Sequence, residues 1–277
     1  MSVLTSQQIT SFYERYKKTD LIFTKEMIEV TGLIPRHICL KCVEEYTPCF
    51  IYSSSFEGAK ILIKTNNGIV EKLREANQLG SLKFCFNNPE TNSPIAFFVN
   101  FRLLGYAPYG GIQDTVIMHT QFLNRPPDDL ILIIGQILEA DINFSRRRGE
   151  RIVITNDVQH RLNLVSRELV VSIQGVSRHC ILYDLSFYGA KVIIAGSATF
   201  LECKEVVLTM EFDDPKKTYV LPGKFIRAET FEERKELLAM AIAFEESSVP
   251  LGYKMRISSY INQTRHTGDG VVEIATA

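Results

Sequence analysis

The chain repeats itself, and the repeat limits its fold more than any other feature. Residues Cys49–Ile63 align without gaps to Cys180–Ile194; eight of the 15 positions are identical and four more exchange one apolar residue for another. Ser55 matches Ser186, Phe56 matches Phe187, and Gly58-Ala59-Lys60 matches Gly189-Ala190-Lys191, all in one register. Each copy reads as strand, turn, strand. Two unrelated hairpins would not share Ser, Phe, Gly, Ala and Lys at one spacing, so the pattern predicts two related β domains. A chain of 277 residues is long enough for each to bury its own core.

Alternation of β-branched and aromatic residues supports a mainly β protein with a few helices. Strand-like segments in the first half are Ile38–Val43, Phe50–Tyr52, Ala59–Ile63, Leu82–Phe86, Ile95–Leu104, Thr115–Leu123 and Leu130–Leu138. In the second half they are Ile152–Thr155, Arg161–Val165, Leu169–Ile173, Cys180–Tyr183, Ala190–Ile194, Val206–Phe212 and Tyr219–Ala228. A helix is predicted over Ser6–Lys18, where Ile9, Phe12, Tyr13 and Tyr16 share a face, and a short one over Gly68–Leu79. Thr230 and Glu233 have capping-box spacing, which predicts a carboxy-terminal helix ending near Ser247. The polar, arginine-rich stretch Asp141–Arg151 reads as a joint. The expected organisation is an amino-terminal domain over 1–140, a linker over 141–151, a second domain over 152–261, and a flexible tail over 262–277.

With 45% apolar and 23% charged residues the composition is that of a globular protein, and the net charge of −1 supplies no bulk field toward nucleic acid or an anionic membrane. An anion must therefore be captured by a local cluster. The start lacks a signal-peptide pattern, Leu130–Leu138 is too short to span a membrane, and six cysteines without secretory signals read as reduced thiols, so the protein is expected in the cytoplasm. Nucleophile-elbow, Walker, zincin and dinucleotide motifs are absent, and His37, His119, His160, His179 and His266 fall singly, so no enzyme is expected. Cys39, Cys42 and Cys49 suggest a metal site only weakly, because positions three apart in a strand face opposite ways.

Two motifs carry chemistry. Arg146, Arg147, Arg148 and Arg151 place four guanidiniums just before a strand, and guanidinium suits both phosphate oxygens and the O6/N7 edge of guanine. Taken alone, such a run is most often a solvated linker. Asp184, Ser186 and Gly189 lie between two strands; the carboxylate can accept from purine N–H groups, Ser adds a hydroxyl, and Gly permits close approach. Taken alone, this is an Asx or Ser turn.

Together and in this order, Arg147 and Arg151 followed by Asp184, Ser186 and Gly189 resemble the signature of the PilZ family, Arg-x-x-x-Arg and then Asp/Asn-x-Ser-x-x-Gly, over roughly 141–247. The resemblance implies two PilZ-like six-stranded antiparallel β-barrels in tandem, the first degenerate, the second with its carboxy-terminal helix. It implies that the arginines clasp the guanines and phosphates of cyclic di-GMP while the Asp184–Gly189 loop holds one guanine. Arg146, directly before the signature, implies an intercalated pair of ligand molecules. The layout is similar to two-domain receptors of that family from spirochaetes.

In the first copy Ser53 replaces the motif Asp, and the arginine positions fall on Tyr16 and Asp20, so that domain is expected to have lost the ligand chemistry and to serve structure or a protein partner. The function expected is a cyclic di-GMP receptor without cofactor or metal. Ligand would order the joint, change domain orientation and signal to an unknown partner, in motility or another second-messenger output. The alternatives are a β-barrel binding nucleic acid and a scaffold with vestigial motifs.

Overall fold

A computed structural model of the chain describes residues 6–66, 68–88, 93–196, 205–231, 234–267 and 272–274. Two compact units divide it, Met1–Leu138 and Glu139–Ala277. Among the described residues the first holds α1 (Ser6–Tyr16), β1 (Leu21–Ile22), α2 (Lys25–Thr31), β2 (Cys39–Cys42), β3 (Glu45–Ser54), β4 (Gly58–Lys64), α3 (Ile69–Glu75), β5 (Leu79–Asn87), β6 (Pro94–Pro108) and β7 (Thr115–Phe122). The division falls inside α4 (Asp128–Arg146). The second unit continues with β8 (Glu150–Val153), α5 (Asn156–Arg161), β9 (Glu168–Ile173), β10 (Val176–Leu185), β11 (Gly189–Ala195), β12 (Glu205–Phe212), β13 (Lys217–Phe231), β14 (Arg234–Phe244), α6 (Leu251–Thr267) and β15 (Val272–Ile274).

Each unit is a closed six-stranded antiparallel barrel. In the first the ring runs β2–β3–β4–β7–β6–β5 and back to β2; in the second it runs β9–β10–β11–β14–β13–β12 and back to β9. Alternation selects the inward residues, as in β12, where Val206, Leu208, Met210 and Phe212 are buried, and in β9, where Leu169, Val171 and Ile173 are. Closure leaves the rings no free edge.

The sequence repeat extends into backbone detail at its offset of 131 residues, from Cys49 to Cys180. Pairings Cys49↔Ile63 and Cys180↔Ile194 open two hairpins whose registers slip at equivalent points, Ile51/Ser53 and Leu182/Asp184. Outside the rings, Leu21↔Ser54 and Ile152↔Leu185 attach β1 and β8 to the hairpins in the same way. Thr24 and Thr155 accept from the backbone N–H groups of Met27 and Val158, capping α2 and α5. Cys49 and Cys180 are equivalent core positions, and burial pushes both thiols up to about 12.

Three sequence expectations are corrected. Leu130–Leu138 is helical: Asp128 and Asp129 occupy the first turn of α4, and Leu130, Ile131, Ile134, Ile137 and Leu138 are buried at helical spacing. An unbroken apolar run does not distinguish strand from helix. Arg161–Val165 holds the end of α5 and a loop, because the Thr155 cap starts a helix there. The expected helix over Thr230–Ser247 is instead the end of β13 and all of β14, which closes the ring by pairing with β11 and β13. Leu238, Met240, Ile242 and Phe244 are buried inside it, so tertiary pairing overrides the helix preference of Leu and Ala. Glu233 of the expected capping box lies outside the described residues, as do Met1–Thr5 and Cys203.

The carboxy-terminal helix is α6, and it runs into the expected tail as far as Thr267. Tyr253, Ile257, Tyr260, Ile261 and Thr264 are buried along it, and β15 beyond it pairs with β8. Residues 268–271 and 275–277 of that tail lie outside the described residues.

The motif glycine has a packing reason in both copies. A Cβ on Gly58 would stand 2.2 Å from the Thr120 carbonyl oxygen, and one on Gly189 would stand 2.2 Å from that of Ile242. Gly58→Ala should therefore destabilise the amino-terminal unit by about 1–3 kcal/mol, the usual cost of overpacking. Gly105→Ala, which meets nothing within 4 Å, should be close to neutral, and urea unfolding of the two variants compares them.

Candidate functional site

The two motifs meet on one face of the second barrel. Ile152 points into the core, so its neighbours Arg151 and Val153 face outward, and Val153 pairs with Asp184 across β8 and β10. Arg151 reaches the carboxylate beside it: its Nη1 lies 2.5 Å from Oδ1 of Asp184, whose side chain is only 10% exposed. Ser186 is buried in the turn, where its hydroxyl donates to the Gly189 carbonyl at 3.1 Å and accepts from the Tyr188 N–H. Ser55 holds the equivalent turn by accepting from the Glu57 N–H. Ser186 and Gly189 thus shape a turn that both copies share; Asp184 and the arginines belong to the second alone.

The arginine run is structured. Asp141–Arg146 form the last turns of α4, and Arg151 lies in β8. The end of α4 is tied to α6 through Asn143, whose amide donates to the Ser258 hydroxyl at 2.7 Å, and through Glu139, which accepts from Asn262 at 2.9 Å. Tyr188 donates its hydroxyl to the Phe144 carbonyl and stacks on the Phe144 ring, centroids 4.5 Å apart.

Close in sequence, these four arginines have only Asp141 and Glu150 to offset their charge. The fold supplies more. Arg148 pairs with Glu246 at 2.9 Å while lying 4.8 Å above the Tyr188 ring, and Arg151 pairs with Asp184. The Glu246 hydrogen bond holds the Arg148 guanidinium above its ordinary value. Arg146 ends α4 exposed.

Arg147 differs. Its Nη2 donates to Asn262 at 3.4 Å, and its Nη1 lies 3.5 Å from Oε2 of Glu150, yet both of these last atoms are buried without a hydrogen-bond partner among the described residues. Glu150 is held from its other oxygen by Arg265 of α6. Burial pushes the Arg147 guanidinium below its ordinary value, Glu150 pulls it back up, and Arg265 lowers it again. Arg147 and Glu150 form an ion pair without a hydrogen bond, so the Arg147 cation is only partly satisfied within the fold.

Tyr188, Glu150, Asn262 and Arg265 were not singled out from the sequence. Tyr188 and Glu150 lie within or beside the motifs; Asn262 and Arg265 were assigned to the tail, and no local pattern marks them. Among the described residues no cluster of His, Cys, Asp and Glu could hold a metal ion, and Cys39 and Cys42 face opposite sides of β2. No helix among those residues is long and apolar enough to cross a membrane.

Both units are antiparallel barrels of one design, and the second alone carries the arginine pair and the aspartate of the turn. Family comparison is specific: the PilZN3 domain model matches residues 7–141 and again 143–250, and the chain belongs to that family. A "Cyclic di-GMP binding protein" of Treponema denticola is 37% identical over 266 residues, 96% of this chain and 85% of that protein. Among solved structures, Borreliella burgdorferi PlzA in complex with c-di-GMP aligns over 93% of this chain and 99% of that one at 22% identity and a TM-score of 0.42. The Bacillus subtilis inhibitor of motility MotI/DgrA aligns over 85% of this chain and 99% of that one at 12% identity and a TM-score of 0.33.

The pairing of Arg151 with Asp184 is testable without ligand. Removing one partner strands a charge, so Arg151→Ala should destabilise the unit by about 2–3 kcal/mol. The double variant Arg151→Ala/Asp184→Ala should recover part of that loss, giving a coupling of about 1 kcal/mol or more in a double-mutant cycle read by urea unfolding.

Proposed function

We propose that this protein is a cyclic di-GMP receptor, with the site in its carboxy-terminal unit. The observation that carries the proposal is the pair of signature contacts in this unit: the buried Nη1 of Arg147, 3.5 Å from Glu150 without a hydrogen bond, and the Arg151–Asp184 ion pair. The Treponema denticola relative and the family support the choice of ligand.

The arrangement suggests an exchange of partners. A phosphate oxygen would give Arg147 Nη1 the hydrogen bond it does not make with Glu150 and would compete with Asp184 for Arg151 through charge-assisted, bidentate hydrogen bonds. Asp184, released from Arg151, becomes an acceptor for the N1–H and N2–H groups of guanine. Ser186 and Gly189 keep the turn that aims it. The protein acts as a binding module with no chemistry of its own.

Signalling follows from where these residues are anchored. Arg147 follows the last turn of α4, and the division between the units lies on that same helix. Drawing Arg147 and Arg151 onto one ligand re-sets how the end of α4 is held, and a protein partner reads the result, with the amino-terminal unit as the module presented to it. The equilibrium moves only by the difference in ligand affinity between the two arrangements. Arg146, exposed beside the site, is placed to meet a second ligand molecule, giving two per chain.

Calorimetric titration with cyclic di-GMP tests this. Arg147→Ala, Arg151→Ala and Asp184→Ala should each lose ~1.5–3 kcal/mol, about one to two decades of affinity. Ser53→Ala in the first unit should be silent. Unchanged affinity in both arginine variants would refute the site, a one-to-one end point would refute the paired ligand, and scattering curves identical with and without ligand would refute the switch.

A further inference from the structure

An open depression of about 510 Å³ lies beside the Arg151–Asp184 pair, lined by Val153 of β8, Asn156 and Asp157 of α5, Arg167 and Tyr183 of β10. It shares the outer face of the motif, because Val153 is the cross-strand partner of Asp184 and the register slip between Leu182 and Asp184 leaves Tyr183 exposed next to it. None of the family signature residues lines it.

Two features make it more than a dent in the surface. Nε of Arg167 is buried and has no hydrogen-bond partner among the described residues, although Nη1 of the same guanidinium donates to Asn156 Oδ1 at 3.3 Å. A donor withdrawn from water in this way calls for an acceptor from outside. Tyr183 is 44% exposed, an aromatic surface at the rim. The first barrel treats the equivalent place differently: Tyr52 has the ring of Tyr109 packed edge-on at 6.1 Å, and Lys25 stands where Asn156 does. Arg36 stands at the place of Arg167, so the two copies share the ring and the guanidinium and differ in the amide of Asn156 and in what packs on the ring, Tyr109 in the first and the Lys191 ammonium in the second.

We propose that this depression seats one guanine base of the bound nucleotide, with Arg167 as a further specificity-determining residue. It rests on the receptor function proposed above and adds a subsite to it. Arg167 suits the task because a guanidinium can donate twice to O6 and N7 of guanine, whereas adenine offers N7 alone and a competing N6 donor on that edge. Tyr183 supplies stacking area that is tolerant of base identity. Discrimination therefore falls on Arg167 and general affinity on Tyr183.

The test is parallel calorimetry with cyclic di-GMP and cyclic di-AMP on the full chain and on Arg167→Ala, Arg167→Lys and Tyr183→Ala, with thermal melts to confirm folding. Arg167→Ala should weaken cyclic di-GMP binding by about tenfold, the size expected for losing a charged hydrogen bond, and should narrow the preference over cyclic di-AMP. Arg167→Lys should keep charge but not the preference, since an ammonium lacks the planar fork. Tyr183→Ala should weaken both ligands to a similar extent, and it carries the test of the seat should Arg167→Ala fail to fold. If Arg167 and Tyr183 variants keep full affinity and preference while Arg151→Ala abolishes binding, the seat is wrong and the receptor stands. If the unaltered protein binds no cyclic di-GMP, the receptor reading itself falls.

Discussion

Closure of each barrel depends on a strand approach too close for any side chain larger than hydrogen. At Gly58 and Gly189 the facing carbonyl occupies the space of a Cβ, and from these points β4 pairs with β7 and β11 with β14. The seam orients what precedes it. Ser55 and Ser186 each donate a backbone N–H to the carbonyl of the motif glycine, which sets the turn and holds position 53 or 184 at the end of the preceding strand. A residue usually read as ligand-binding thus has a prior task in the fold. Its retention in the copy that lacks the arginines follows from that task.

On this frame the charges are distributed by long-range folding. Glu246 follows β14, Asp184 ends β10, and Asn262 and Arg265 come from α6, yet all converge on five consecutive residues, Arg147–Arg151. Exposed pairs such as Arg148–Glu246 contribute little to stability. The Arg151–Asp184 pair, more withdrawn, matters more, because losing either partner strands the other. The run is therefore no bare field of arginines: Arg147, Arg148 and Arg151 each face a carboxylate supplied by the fold.

What the sequence disclosed, and what it did not, follows the range of the forces involved. The hairpins were legible because a turn and its flanking alternation are local, and the repeat displayed them twice. The motif residues were legible because their chemistry is unusual for their positions. Leu130–Leu138 was ambiguous since both a buried strand and a buried helix favour such a run, and the two aspartates before it were the overlooked sign. The stretch around Leu238–Phe244 has helix-forming composition but is fixed by pairing with its hairpin partner β13 and, above all, with β11, far earlier in the chain. Arg265 had no local signal. A lone arginine in a polar stretch gains meaning only when α6 brings it to Glu150.

The two copies separate what the barrel requires from what the ligand requires. At the place of Arg151 the first copy has Asp20, and at the place of Asp184 it has Ser53, whose hydroxyl donates to Asp20 at 3.3 Å. Lys60 completes that group by pairing with Asp20 at 2.5 Å. Its equivalent in the second copy, Lys191, pairs with Glu229 and lies 5.7 Å above the Tyr183 ring. The outward face of the short strand therefore tolerates either polarity, because the strand is held by backbone pairing and by Leu21 or Ile152 beneath it. Where Tyr16 is buried in the first copy, Arg147 in the second is drawn in beside Glu150, 3.5 Å away, with no hydrogen bond between them. The second unit thus keeps a guanidinium where the first buries an aromatic ring, and a carboxylate where the first has the neutral hydroxyl of Ser53.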